Sequence, residues 1–263
     1  MCSRRPSTDS SDPATDAEGR LALYRRAARA LNAFFAHWTA PFCVHCLAVT
    51  ALHHRDDPRA DVELLTGVFP GCCHAGVADA LWVPGTGEEG RFPPELGRAV
   101  AREREAVARG GEPLRYGVRE RRTGVEAVGV ACAQLAPDGC RLGDLKAPLC
   151  LCYACEPIRE ALAGVLEAGG CGAAGELLGD GADDFVGARA VLRAVVCGPR
   201  REAGTAVEAL EGRLEALDRA LEAQGLSGGG LLDRWRQARP GPPAGPPGRR
   251  RSEGRRHERR SDV

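Results

Sequence analysis

The sequence predicts a mostly α-helical domain with one small β-hairpin, a cysteine-rich metal site organising it, and disordered termini. Three observations predict this. Apolar residues recur at helical spacing in several stretches between residues 21 and 224. One pair of β-prone stretches flanks Thr123-Gly124. Nine of the twelve cysteines fall between Cys43 and Cys155.

In chain order, residues 1–17 are rich in Ser, Asp, Thr and Pro and read as a disordered leader. Residues 18–200 form the cysteine-cluster metal-binding domain, 201–239 a set of C-terminal amphipathic helices, and 240–263 a disordered Pro/Gly/Arg-rich tail. "LALYRRAARALNAFFAHW" places Tyr24, Ala27, Leu31, Phe34, Phe35 and Trp38 on one helical face, and that helix is expected to end before Pro41. "PELGRAVAREREAVARG" reads as a second helix closed by Gly110 and Gly111. "LRYGVRERRTGVEAVGVACAQL" reads as a hairpin that delivers Cys132 at its exit. "EPIREALAGVLEAG" is helical, with Pro157 suited to the first turn. "DDFVGARAVLRAVV" is another helix, with Asp183 as its expected N-cap. Val207, Leu210, Leu214, Leu217 and Leu221 then make an apolar stripe, and residues 203–224 pack either on the domain or on a protein partner.

Composition narrows the function. The chain is 43% hydrophobic and 27% charged with a formal net charge of +0, so its body is not built to hold nucleic acid. Its basic side is almost wholly arginine, Lys146 being the one lysine. The first twenty residues show no apolar signal region and the sequence has no run long enough to span a membrane, which predicts a cytoplasmic protein with no membrane partner. Thiols stay reduced there, so clustered cysteines point to metal before disulfides. Serine-hydrolase elbow, zinc-protease helix and phosphate-loop motifs are absent from the sequence.

Thiolates select soft metals, and structural zinc takes four N or S ligands, often from short-spaced pairs. Cys43 and Cys46 form one C-x-x-C pair, followed by "GCCH" with Cys72 and Cys73, then "CAQLAPDGCRLGDLKAPLCLCYAC". So many thiols exceed the needs of one tetrahedral ion, and a site with more than one metal, or one ion plus a spare thiol, follows. His74 is the best imidazole candidate, whereas His53 and His54 precede "RDDPRAD" and read as a solvated loop. Buried apolar packing is the competing reading for Cys152, Cys171 and Cys197.

The Gly71-Cys72-Cys73 element, then Cys132, Leu135, Asp138-Gly139, Cys140, Lys146, Pro148 and Cys150, resembles the YkgJ-like family of zinc- or iron-chelating cysteine-cluster proteins. The resemblance spans residues 43–157 at most. It implies a cysteine-ligated zinc or iron centre, an iron–sulfur cluster among the alternatives, with Cys72, Cys73, Cys132, Cys140 and Cys150 as ligands. Cys152 and Cys155 stand outside the family's pattern. Three functions follow as expectations. The first is a structural or redox metal-binding protein. The second is a metal-dependent enzyme that uses the cluster catalytically. The third is an adaptor whose arginine tail binds nucleic-acid phosphates without sequence preference, against which a solvated tail is the plainer reading because no aromatic residues interleave.

Overall fold

A computed structural model describes residues 13–45, 62–66, 81–84, 90–107, 112–121, 123–136, 139–170, 178–179, 184–227 and 229–239. The chain is mostly helical. Its helices are α1 (Pro13–Phe34), α2 (Ala40–Val44), α3 (Pro94–Val107), α4 (Pro148–Cys152), α5 (Glu156–Ala168), α6 (Ala188–Cys197), α7 (Arg200–Ala223) and α8 (Gly230–Ala238). Strands β1 (Val62–Thr66), β2 (Arg115–Glu120) and β3 (Glu126–Val130) form one antiparallel sheet, and the two-residue strands β4 (Leu135–Ala136) and β5 (Gly139–Cys140) form a second ladder.

The helical core assembles along α1. Tyr24, Ala27, Ala28, Leu31, Phe34 and Trp38 are buried on one face, against Leu192 and Val195 of α6 and the stripe of α7. Val207, Leu210, Leu217 and Leu221 are fully buried in this core. The face that suited a domain or a partner helix is thus occupied within the chain, each leucine contributing about 1.5–3 kcal/mol of burial. The two long helices run in the same direction. Arg26 meets Glu211 at 2.7 Å, and further along the Trp38 indole N–H donates to the Asp218 carboxylate. Among the described residues no helix is long and apolar enough to cross a membrane.

Four sequence expectations change. Residues 13–17, placed in the disordered leader, are the first turn of α1, where Asp16 pairs with Arg20 one turn on at 2.8 Å. Residues 1–12 and the tail from 240 lie outside the described residues. The first helix does not stop before Pro41. A π-helical turn, Phe35–Thr39, lets the Ala40 amide bond the Phe35 carbonyl, and Pro41 then falls in the first turn of α2, where its missing N–H goes unneeded. The expected hairpin is present but gains a third strand, since β1 pairs with β2 from Val62 opposite Glu120 to Thr66 opposite Gly117. Finally, Asp184 rather than Asp183 serves the start of α6, its carboxylate accepting the Arg189 amide at 2.8 Å. Asp183 lies outside the described residues.

Among the described residues the sheet has little core. Tyr116 is the one buried side chain described on its three strands, and it lies across its partner Gly129, where an added Cβ would meet the ring at 2.1 Å. Val128 on β3 is 72% exposed. Among the described residues the strands pack on one another and scarcely on the helices.

Candidate metal centre

The hairpin carries Cys132 to the end of the sheet. The Ala131 amide donates to the Leu114 carbonyl at 2.8 Å, so the ladder continues to the residue before the cysteine. The chain then turns tightly, the Leu135 amide bonding the Cys132 carbonyl at 2.9 Å and the Gln134 amide pointing at Cys132 Sγ from 3.5 Å. Leu135 sits opposite Cys140 in the β4–β5 ladder, and the Arg141 amide donates to the Gln134 carbonyl at 2.8 Å. Cys132 and Cys140 therefore border one small apolar cluster with Leu142, Leu145 and Leu21.

The segment between Cys140 and Cys150 is clamped to the helical body by polar contacts. Asn32 on α1 donates to the Gly143 carbonyl at 2.9 Å and accepts from Lys146 Nζ at 2.7 Å. Arg25 pairs with Asp144 at 3.0 Å. Arg104 on α3 donates twice to the Leu145 carbonyl, at 2.9 and 2.8 Å. Tyr24, fully buried, donates its phenol to the Lys146 carbonyl. Burial pushes the Tyr24 phenol well above its ordinary pKa, against the pull of Arg104 and with a further push from the nearby Cys152 and Cys150 thiols. Lys146, Ala147 and Pro148 then lead straight into α4, which carries Cys150 half-buried and Cys152 fully buried in the helical core.

The seven sequence-derived ligands thus divide. Cys132 and Cys140 come together, and Cys150 follows on α4 next to Tyr24. Cys43 is exposed on α2, beyond the far end of α1. Cys46, Cys72 and Cys73, with His74, lie outside the described residues. Among the described residues no three His, Cys, Asp or Glu side chains converge on one point. Cys152 packs inward as a core residue, Cys155 is half-buried at the N-cap of α5, and Cys197 is half-buried against the core. Cys171 lies outside the described residues. Tyr24, Asn32 and Arg104 were not anticipated as supports of the site. Tyr24 offered a signal, a polar tip on a core-facing helical position, whereas Arg104 on an exposed-looking helix offered none.

No known protein family, curated protein or solved structure matches the chain.

Proposed function

We propose that this is a metal-binding protein of the YkgJ-like kind, in which zinc or iron, as an ion or an iron–sulfur cluster, is held by cysteine thiolates in the reducing cytoplasm. The observation that carries the reading is that Cys132 and Cys140 border one small apolar cluster at the end of a sheet with almost no apolar core among the described residues. A three-stranded sheet needs a hydrophobic face or another support to be stable. Two cysteine sulfurs on one small cluster, one of them facing a backbone N–H, are donors of the kind a soft metal takes.

Chain geometry supports Cys72 and Cys73 as further ligands. β1 and β3 both run antiparallel to β2 and leave the sheet at the same end, Thr66 opposite Gly117 and Val130 opposite Arg115. The two strands flank β2, so their ends are about 10 Å apart. Cys72 comes six residues after Thr66, and that length of chain spans up to about 20 Å. The Cys-Cys pair is therefore within reach of Cys132 and Cys140, with Cys150 delivered by the clamped segment. Cys43, set apart on α2, would with Cys46 serve a separate metal. Bound zinc would supply a structural cross-link, and bound iron an electron-transfer centre. The chain's own residues position the thiols, keep Leu142 and Leu145 packed beneath them, and hold the Cys140–Cys150 segment against α1 and α3.

The test is metal analysis of protein purified without oxygen, beside a Cys132→Ser/Cys140→Ser variant checked for intact helical circular dichroism. Stoichiometric zinc or iron in the parent, lost from the variant, is the expected result. A parent without metal, or a variant that keeps all of it, overturns the reading.

A further inference from the structure

A groove runs between α1 and the first half of α7, and four arginines line it: Arg26, Arg29, Arg200 and Arg201. Arg26 is fixed in a two-point pair with Glu211, at 2.7 and 2.5 Å. Arg29, Arg200 and Arg201 are exposed, and among the described residues none of the three guanidiniums makes an ion pair or a hydrogen bond. Three carboxylates, Glu208 in the groove, Glu211 beside it and Glu202 in the first turn of α7, stand against four cations.

Two features make this more than scattered surface charge. The guanidinium of Arg200 lies flat over Gly19, and a Cβ there would sit 2.3 Å from its central carbon, so the absent side chain lets the cation cross to α1. Arg200 and Arg201 also occupy the first turn of a 24-residue helix. Cations there oppose the helix dipole, which the acidic Glu202 in the same turn only partly offsets, so the placement costs stability until an anion arrives. The floor is open at Gly204, and Thr205 adds a hydroxyl. No aromatic side chain lines the groove to stack a base. From Gly19 to Arg29 it extends about 15 Å along α1, room for a chain of several phosphates rather than a single one.

We propose that this groove binds an oligophosphate anion, with Arg29, Arg200 and Arg201 as its phosphate contacts. Guanidinium forks match phosphate oxygens, and exposed pairs of this kind weaken with salt.

The experiment titrates the full chain with sodium tripolyphosphate at two salt concentrations, following heat and thermal midpoint, beside the variants Arg29→Gln/Arg200→Gln/Arg201→Gln and Glu208→Gln. Tripolyphosphate also chelates metals. Thiol-bound metal is exposed to it equally in every protein, so the difference between parent and variants isolates the groove. Expected are saturable one-to-one binding that raises the midpoint, a loss of at least about tenfold in the triple variant, and several-fold tighter binding in Glu208→Gln. The triple variant without ligand should melt no lower than the parent, because it relieves that opposition to the dipole. Absent saturable binding overturns the proposal. Equal affinity in parent and triple variant overturns it too, by moving the anion to the arginine-rich segment after residue 240. Tighter binding of a ten-residue oligothymidylate than of tripolyphosphate replaces the oligophosphate assignment with nucleic acid.

Discussion

Replacing Tyr24 by Phe removes one oxygen from the best-defined link between the helical core and the cysteine segment. The ring is fully buried and sits edge-on to Phe92, 5.4 Å between centroids, so the phenyl group keeps its packing and leaves no cavity worth counting. What is lost is the bond to the Lys146 carbonyl, which then has no phenol to satisfy it. A net hydrogen bond with a partly desolvated acceptor left behind amounts to about 1–2 kcal/mol. For a chain of this size that lowers the thermal midpoint by about 3–6 °C. Urea unfolding followed by far-ultraviolet circular dichroism measures the free energy directly.

The same residue makes a second, pH-resolved prediction. The folded phenol has a raised pKa because burial disfavours the phenolate. Its contribution is therefore complete below the unfolded value near 10 and is lost as the pH climbs from there towards the folded value. The gap between parent and Tyr24→Phe should accordingly narrow above about pH 10. A stability loss under about 0.5 kcal/mol at neutral pH, or a gap unchanged to pH 11, refutes the argument, the first by showing the bond contributes nothing and the second by showing the phenol is solvated.

Three further outcomes are expected. Leu210→Ala, at a fully buried position of α7, should cost about 2–5 kcal/mol by calorimetry, and a loss under 1 kcal/mol would mean α7 is not part of the core. Asp184→Ala removes the acceptor of the Arg189 amide and a carboxylate 3.5 Å from the Arg189 guanidinium, for about 1 kcal/mol. Asp184→Asn should recover most of that, because the bond to the amide is the larger part. On the metal-binding reading, adding a chelator should strip hydrogen-exchange protection from β2 and β3 amides while those of α1 and α7 stay protected. Uniform loss across the chain, or no loss in the sheet, would contradict it.

The helices were legible because their cores are written at a 3.6-residue period, as in Tyr24, Ala27, Leu31 and Phe34, and that period survives any tertiary context. The hairpin was legible from Thr123-Gly124, even though alternation fails at Gly129. That failure has a local cause, since the Tyr116 ring occupies the space a side chain there would need. β1 was not legible. Val62–Thr66 is a short run without clear alternation, and its strand form comes from pairing with β2 more than fifty residues away. Pro41 misled in the opposite direction, because a π turn absorbs the proline and local rules read it only as a stop. At the site, the family resemblance named Cys132 and Cys140 together, and the fold sets both on one small apolar cluster. The clamp of Asn32, Arg104 and Tyr24 depends on helices distant in sequence, and no spacing rule reaches it.

These differences leave a molecule whose two parts are held by unlike forces. The helical body buries whole leucine stripes and stands chiefly on the hydrophobic effect. The sheet meets that body through Leu142, Leu145 and Leu21 beside two cysteines. Three leucines contribute about 1.5–3 kcal/mol each at full burial, little against the backbone entropy of about 1–2 kcal/mol per residue that ordering sixteen strand residues requires. Cross-strand pairs recover only part of this, at about 0.2–1 kcal/mol each. A thiolate-bound structural metal contributes on the order of 10 kcal/mol, a term of matching size that the described residues at this end of the sheet are chemically equipped to supply. That comparison, more than the count of cysteines, is why the metal reading belongs to the sheet and not to the bundle.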